Sequence, residues 1–296
     1  MARFSHIYSG GMPSCNINGK NISVVGDQIY VDGILYVPAN ESDLVEGAKP
    51  LTPGKYIKHK FDISSDFSSI VSKGFVDVVF RQSEKNEDIG VQGWLPENLI
   101  DKMIITVENE TLFISVKPGT YNNLTTGENS PTIYVTNKFL KDVTTSGSGD
   151  FLVKGDLKAT EDGFSLHSSG SSDFKSGKIK ASKSHVSVST SGSGDIEMSG
   201  VETMIFLVNI SGSADVDCGT VKAQRSSIGI KGSGDVRISG STESVEFSIA
   251  GSGDISASNF VAKTGKASIA GSGDITCHVE RLSDRVRGSG DVHNRY

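Results

Sequence analysis

The chain has 296 residues with 29 basic and 35 acidic side chains, so its formal net charge is −6. This excess of acidic residues argues against a nucleic-acid-binding protein, because phosphate binding depends mainly on Lys and Arg. We also expect no membrane span, since no window contains the roughly 18 consecutive apolar residues of a transmembrane helix. Glycine is abundant, at 34 residues, and aromatic residues make up 7%, which indicates many tight corners rather than a large helical core.

Residues 1–37 carry the pattern of a β-ribbon extension, with strands predicted at Asn21–Val25 and Gln28–Val31. Residues 1–11 contain no apolar segment, so we expect no secretory signal. The localisation is otherwise undetermined, and we expect synthesis in the cytoplasm with incorporation into a particle or a cell surface. The polar stretch at residues 38–55 predicts a linker.

Residues 56–142 show the apolar alternation of β-strands without a regular repeat. A helical turn is predicted at Leu95–Asp101, because Pro96 lies near its start. We interpret the segment as irregular β coils that cover the N-terminal end of a solenoid, since a solenoid needs its ends covered. The predicted strands include Tyr56–Phe61, Val76–Phe80, Met103–Val107, Thr111–Val116 and Thr132–Val135.

Residues 143–296 are dominated by the tetrapeptide Gly-Ser-Gly-Asp, which occurs six times, with two degenerate copies at Gly170–Asp173 and Gly212–Asp215. The steps between successive Asp residues are 17 to 23 residues, a period near 20 that holds over eight copies. Such a period is the signature of a repeat architecture. The exact copies begin and end at Gly147 and Asp150, Gly192 and Asp195, Gly232 and Asp235, Gly251 and Asp254, Gly271 and Asp274, and Gly288 and Asp291.

The residues around each tetrapeptide alternate between apolar and polar, which predicts two short strands with one buried face. A weaker third element follows about six residues after each Asp, so three short strands and three corners form one coil. Left-handed β-helices keep a strict hexapeptide period, which this chain lacks, and crossover connections favour the right-handed form. The predicted fold class is therefore all-β, a right-handed parallel β-helix (solenoid) with coils of about 20 residues and an irregular N-terminal β cap.

The repeated Asp residues form a column that has two interpretations. In the structural one, corner amides and Ser hydroxyls satisfy the carboxylates. In the other, the column binds Ca²⁺, which needs six to eight oxygen ligands, and one Gly-rich turn per coil supplies about half of them. We favour the structural interpretation and predict no metal or cofactor, because the His and Cys residues also lack metal-ligand spacing. The weak Ca²⁺ candidates are Asp195, Asp215, Asp235, Asp254 and Asp274.

A polysaccharide-active enzyme is a less favoured alternative. Glycoside hydrolysis requires a carboxylate pair about 5 Å or about 6.5–9.5 Å apart. A regular Asp ladder singles out no such pair, and no Arg or Lys stands at a fixed place beside it. We therefore predict that the protein is not an enzyme.

The C-terminal end and Trp94 carry the candidate partner contacts. The last unit shortens to 17 residues, so no obvious cap covers the final coil, and an open coil is an unpaired edge that invites a protein partner or a second copy of the chain. The arginines there act either as gatekeepers against stacking or as contacts for an acidic partner. Trp94 is the single tryptophan. A lone tryptophan more often lies in the core, and the alternative is that Trp94 stacks on a sugar. The arginines are Arg281, Arg285, Arg287 and Arg295.

Three segments and the repeats together resemble the head GIN domain family, labelled auto-transporter adhesins. The segments are Phe67–Gln82, Glu97–Ile100 and Glu110–Ile114, and the likeness spans residues 57–292 in the family's order. The resemblance implies a right-handed β-helix with an adhesin-like role and supplies no catalytic residues. We predict a non-enzymatic adhesin-like binding module that presents a repetitive Ser, Thr and Asp surface to a glycan or a protein. The alternative is a structural component of a larger assembly, such as a virion decoration or tail protein.

Overall fold

The computed structural model describes residues 55–63, 66–118 and 130–296, and within residues 14–36 the backbone of four strands. These four strands form an antiparallel sheet in sequential order. The predicted linker, 38–55, lies outside the described residues apart from Lys55. The strands are β1 (Ser14–Ile17), β2 (Lys20–Val25), β3 (Gln28–Val31) and β4 (Ile34–Tyr36).

The second unit is a stack of strands whose first part mixes parallel and antiparallel pairing. Its elements are β5 (Tyr56–Phe61), β6 (Ser69–Gly74), β7 (Asp77–Gln82), a 3-10 turn (Asn86–Asp88), β8 (Gly90–Pro96), α1 (Glu97–Ile100), β9 (Met103–Glu108), β10 (Thr111–Val116) and β11 (Thr132–Asn137). Strand β8 is antiparallel to β5 and β11, and β9 is antiparallel to β10. Strands β6 and β7 already pair in parallel, β6 with β10 and β7 with β11. This mixed segment is the irregular N-terminal β cap.

The repeat region follows in eleven strands that pair in parallel from coil to coil. They are β12 (Asp142–Gly147), β13 (Phe151–Val153), β14 (Leu157–Lys158), β15 (Phe164–Gly170), β16 (Phe174–Thr190), β17 (Ile196–Ile210), β18 (Val216–Ile230), β19 (Val236–Ile249), β20 (Ile255–Gly271), β21 (Ile275–Gly288) and β22 (Val292–Asn294). The stacked coils of about 20 residues confirm the predicted β-solenoid, which has about eight turns.

The coils differ from the prediction in how they turn. Three short strands per coil were expected, whereas β16 to β21 each run unbroken for 14 to 17 residues. These strands bend away from the Gly-Ser-Gly-Asp corner through register shifts, for example between Asp217 and Thr220. A β-bulge bends a strand while pairing continues on both sides of it, so the chain changes direction without leaving the ladder.

The core is built from columns of equivalent residues. The residue after each corner Asp is buried from Phe151 through Ile275, as the alternation predicts. The columns two and four residues before the first Gly of each corner are also buried, except in the last coil, where Val286 is 39% exposed and Asp284 is exposed. These two residues face the end of the stack, so no following coil covers them. Cys218 and Cys277 are buried free thiols within the core.

Among the described residues, no helix has the length and apolar content that crossing a bilayer requires.

Candidate functional site

The Gly-Ser-Gly-Asp corners stack into a continuous ladder along one edge of the solenoid. The Oδ1 atom of each corner Asp accepts a hydrogen bond from the backbone N–H of the Asp in the next coil, at 2.7–3.0 Å. The N–H of the corner Ser donates to the carbonyl of the first Gly one coil below, as Ser252 does to Gly232 at 2.9 Å. The predicted Asp column is thus a structural element in which side chains and backbone join neighbouring coils.

The ladder begins one coil earlier than the repeat indicated. Gly74 pairs with Gly147, and the Asp150 N–H donates to Asp77 Oδ1 at 2.9 Å. Residues 74–77, Gly-Phe-Val-Asp, are therefore a further degenerate corner. The sequence hid it because the antiparallel strands of the cap separate Asp77 from Asp150 by 73 residues.

The glycines of the corner are required by the closeness of the coils. A Cβ built on Gly234 would overlap the carbonyl oxygen of Ala214 in the coil below, and one on Gly253 would overlap that of Gly234. Gly170 also has a φ of 96°, a conformation that side chains disfavour. Stacking and turn geometry together explain why glycine recurs at these positions.

The corner carboxylates lie exposed or half-buried on the solvent side of the ladder. Loss of hydration raises the pKa of Asp150, the hydrogen bond from the Asp173 N–H lowers it, and the charges of Asp77 and Asp173 raise it. Each carboxylate that accepts from the next coil has already committed one oxygen. Within the described part of the chain, no group of three or more His, Cys, Asp or Glu residues is placed to hold a metal ion. Calcium binding by the five candidate Asp residues stays a prediction.

The second half of each coil, which leads into the corner, presents a surface of small, mostly uncharged side chains, which we call the serine face. Its outward positions alternate with buried core positions such as Val188, Val208 and Phe247. Parallel strands are about 4.8 Å apart, so equivalent positions form straight rows along the solenoid. The face comprises Ser187, Ser189, Ser191, Asn209, Ser211, Ser227, Gly229, Ser248, Ala250, Ser268 and Ala270, and its outer rows also contain Leu207, Lys231, Glu246 and Lys266.

The first half of each coil, directly after the corner, presents more charged side chains. Ion pairs join successive coils there, including Lys175 with Glu197 at 2.7 Å and Lys178 with Glu202 at 3.3 Å. Their partners are largely exposed, so each pair contributes little to stability. The two faces differ in charge density, and the serine face is the less charged of the two.

Trp94 and the four arginines lie at opposite ends of the stack. Trp94 is half-buried on β8, between the buried residues Gly93 and Leu95, and its ring lies 5.9 Å from that of Tyr56. It therefore points away from the core, contrary to the more common placement of a lone Trp. Of the arginines, three lie exposed on β21 and Arg295 follows β22. The structure brings together Arg281, Arg285 and Arg287 but not Trp94, and their role as partner contacts stays a prediction.

Two depressions that the sequence did not single out lie on the solenoid wall. The first, which we call the notch, has a volume of about 280 Å³ and is lined by residues of β18, β19 and β20, including Asp217 and Arg237. The second, which we call the side groove, has a volume of about 430 Å³ and runs past Ile205, Arg225 and Lys266. A 19-residue step between Asp235 and Asp254 was the available sequence signal for the notch.

Comparisons with known proteins agree on the fold. A family model described as "Putative auto-transporter adhesin, head GIN domain" matches residues 66–204 and 182–295. A crystal structure of a "putative lipid binding protein" from Parabacteroides distasonis is 26% identical, with a TM-score of 0.68 over 82% of this chain and 98% of that one. A "putative adhesin" from Parabacteroides merdae is 21% identical, with a TM-score of 0.68 over 84% and 99%.

A further "putative adhesin", from Bacteroides fragilis, is 20% identical and reaches a TM-score of 0.56 over 84% of this chain and all of that one. At this identity the two adhesin structures speak for the fold alone. No curated protein matches the chain.

Proposed function

Because the chain belongs to the head GIN domain family of auto-transporter adhesins, we propose that it is a non-enzymatic, adhesin-like binding module that presents its serine face to a glycan or a protein. The family assignment supports adhesion rather than catalysis. The observation that carries the proposal is the middle row of the serine face, because it contains only small uncharged side chains over successive coils. These are Ser189, Asn209, Gly229, Ser248 and Ser268. Such a surface lets a partner approach the sheet closely while hydroxyl and amide groups supply hydrogen bonds.

The assembly alternative has weaker support. Neither the family nor the solved relatives are described as virion components. This alternative would require a protein partner or a second copy of this chain to bind the exposed arginines of β21, and that contact stays a prediction.

The adhesion proposal is tested by placing charges on the serine face. Asn209 and Ser248 are exposed outward residues of the same row, two coils apart, and changing both to Glu would place two charges at the centre of the serine face. The matched control changes Gln224 and Ser241 to Glu, which are exposed residues outside this face. Binding of fluorescent full-length protein to glycan arrays and to immobilised glycoproteins would be measured for all three proteins.

We expect Asn209→Glu/Ser248→Glu to weaken binding at least tenfold, because a glycan or protein surface that fits small neutral side chains must desolvate the new charges. The control should bind as the wild type does. Equal binding by both variants would remove the serine face from the proposal.

Lipid binding is a second candidate function, and the side groove is the observation that favours it. Ile205 is 39% exposed and lies with Leu207 along the groove, so one part of the lining is apolar. Arg225 and Lys266 also line it, against one acidic residue, Glu246, and this excess of positive charge would attract an anionic head group. The relative at 26% identity is described as a "putative lipid binding protein", which supports the same ligand class.

Sedimentation with vesicles distinguishes this candidate. We expect the wild type to bind phosphatidylglycerol-containing vesicles better than pure phosphatidylcholine vesicles, and Arg225→Ala to lose that preference. Absence of binding to both vesicle types would dismiss the lipid candidate without affecting the glycan or protein candidate.

A further inference from the structure

The notch arises because one coil is shorter than the coils on either side of it. The Asp-to-Asp steps around it are 20, 19 and 20 residues, ending at Asp235, Asp254 and Asp274. Each coil bends shortly after its corner Asp. In the two flanking coils, two residues separate Asp217 from Thr220 and two separate Ser256 from Asn259 at this bend. Their partners in the middle coil, Arg237 and Ser239, have a single residue between them. The middle coil is therefore recessed, and the longer coils form the two walls.

We infer that this notch binds a single pyranose unit of a glycan. The inference rests on the proposed adhesive function and names the site and the chemical class of one of its ligands. Three features of the notch lead to it: unused hydrogen-bonding groups on all three coils, a rigid frame, and a size suited to one sugar ring.

The unused groups include both donors and acceptors. Arg237 rises from the recessed coil, and among the described residues it forms no hydrogen bond or ion pair. The side chains of Ser258 and Asn259 on one wall are likewise without a partner in the described part of the chain. Asp217 on the other wall uses Oδ1 to accept from the Gly219 N–H at 2.9 Å, which leaves Oδ2 for a ligand. A sugar ring presents hydroxyls that both donate and accept, so it can use all of these groups.

The frame of the notch is held by contacts that leave those groups free. Ser239 Oγ donates to the Gly219 carbonyl at 2.9 Å, which ties the recessed coil to one wall. Gly219 has a φ of 60°, and its N–H is held by the Asp217 side chain. Ile238 on the floor is 4% exposed and packs into the core. This frame fixes the backbone from which the lining side chains extend, so only those side chains must be ordered when a ligand binds.

The lining also argues against other ligand classes. Asp217 and Arg237 lie opposite each other in register, so the charges of the two side chains balance and a phosphate would meet a carboxylate. Ile238 is the apolar side chain of the lining, which is too little for an acyl chain. The volume of about 280 Å³ is just below the 300–1,000 Å³ typical of drug-sized ligands. A neutral pyranose, with one apolar CH face and a rim of hydroxyls, fits these limits.

The test is titration of the full chain with methyl α-glucoside, methyl α-mannoside, methyl β-galactoside and methyl N-acetyl-β-glucosaminide, followed by saturation-transfer NMR. Arg237→Ala removes the central donor, and Ser258→Trp fills the notch without removing a charge. Lys222→Ala is the matched control, because it removes an exposed basic side chain that lines neither the notch nor the side groove. Thermal unfolding of each variant checks that it is folded.

We expect at least one pyranoside to bind the wild type and Lys222→Ala, with affinity at least tenfold lower in Arg237→Ala and undetectable in Ser258→Trp. Unchanged binding in both notch variants would overturn the inference while leaving glycan binding by the protein in place. Absence of pyranoside binding in a wild type that still adheres to immobilised glycoprotein would also overturn it and leave the adhesive function standing. Absence of both would overturn the two together.

Discussion

At the scale of single residues, the corner Asp joins neighbouring coils through both its side chain and its backbone. Its Oδ1 accepts from the N–H of the next corner Asp, and its own carbonyl accepts from the coil on the other side, as Asp235 does from Val216 at 2.8 Å. The arrangement stacks carboxylates above one another, which costs free energy through like-charge repulsion. The backbone hydrogen bonds offset part of that cost, and we predict that the column needs no bound cation.

The pKa of Asp150 makes this cost measurable. Loss of hydration raises the pKa of its carboxyl in the folded state, so the folded protein holds this proton more tightly than the unfolded chain does. Ionisation of Asp150 therefore lowers stability at pH values above the raised pKa, and this penalty disappears as the pH falls through the folded pKa to below the ordinary value. We expect Asp150→Asn, which keeps the accepting oxygen, to be more stable than the wild type at pH 7.

Urea unfolding of the wild type and Asp150→Asn at pH 7 and pH 3 measures the effect. The gain at pH 7 should vanish at pH 3, where the wild-type carboxyl is protonated. A gain of equal size at both pH values would mean that charge at Asp150 is not its cause.

The corner glycines give a second prediction at this scale. Gly234→Ala places a Cβ against the backbone carbonyl of Ala214. Neither atom can rotate away, so the clash is relieved only if the two coils separate. We expect a loss of about 1–3 kcal/mol in the free energy of unfolding, the usual cost of overpacking. In Gly229→Ala the nearest atom to the new Cβ is the flexible Asn209 Oδ1 at 3.3 Å, so this control should be neutral or slightly stabilising. Thermal unfolding of the two variants compares them directly, and equal stability would contradict the close-packing argument.

At the scale of elements, the last strand decides how the stack ends. β22 covers β21 from Ile275 to Cys277, and Asn294 continues the cover by pairing with both the N–H and the carbonyl of Val279, at 2.9 and 2.8 Å. Beyond this point β21 is exposed, and Asp284 occupies a column that is apolar in the coils below. A charge that points inward at a sheet edge opposes pairing with another strand. The exposed arginines of β21 add like-charge repulsion, so the structure favours the gatekeeper interpretation over self-association.

Removal of the inward charge should reverse this protection. Asp284→Val completes the apolar column at the open end, and we expect this variant to self-associate as its concentration rises, while the wild type stays monomeric. Ser283→Val is the control, because it adds the same side chain on the outward side of the same strand. Light scattering across a concentration series gives the mass of each protein. A wild type that is already a defined oligomer would instead support the predicted association through the C-terminal coil.

At the scale of the whole molecule, the solenoid is stabilised by contacts between neighbouring coils along its full length. The core columns run from the cap to β21, and Phe151 stacks on Phe174 with ring centroids 5.9 Å apart. Because every coil buries its inward residues against the next, stability grows with the number of coils. The ladder of backbone hydrogen bonds follows the same path, and both kinds of contact form between groups of the protein itself.

We therefore expect EDTA and millimolar Ca²⁺ to leave both the melting temperature and the mass of the protein unchanged. Each corner carboxylate that accepts from the next coil retains one free oxygen, whereas Ca²⁺ takes six to eight. Calorimetry and light scattering in the two conditions provide the measurement. A melting temperature that falls in EDTA would assign Ca²⁺ to the column of Asp195, Asp215, Asp235, Asp254 and Asp274.

The sequence by itself determined the repeat, the β-solenoid, the inward columns and the family. This was achievable because equivalent residues of successive coils contact one another, so a local pattern such as Ile210, Ile230 and Ile249 encodes its own environment. The Gly-Ser-Gly-Asp corner could be recognised for the same reason, because its glycines lie against the equivalent corner of the adjacent coil.

The tertiary structure alone decided the features that depend on how different segments align. The corner at residues 74–77 is recognisable only from the pairing of β6 with β12, which are separated in the sequence by the cap strands. The notch required the register of three coils, because the recess comes from a length difference between neighbours rather than from any residue type. Trp94 was placed outward by the antiparallel pairing of β8. In each case the deciding contacts join unlike segments, and a one-dimensional pattern does not record which of them become neighbours.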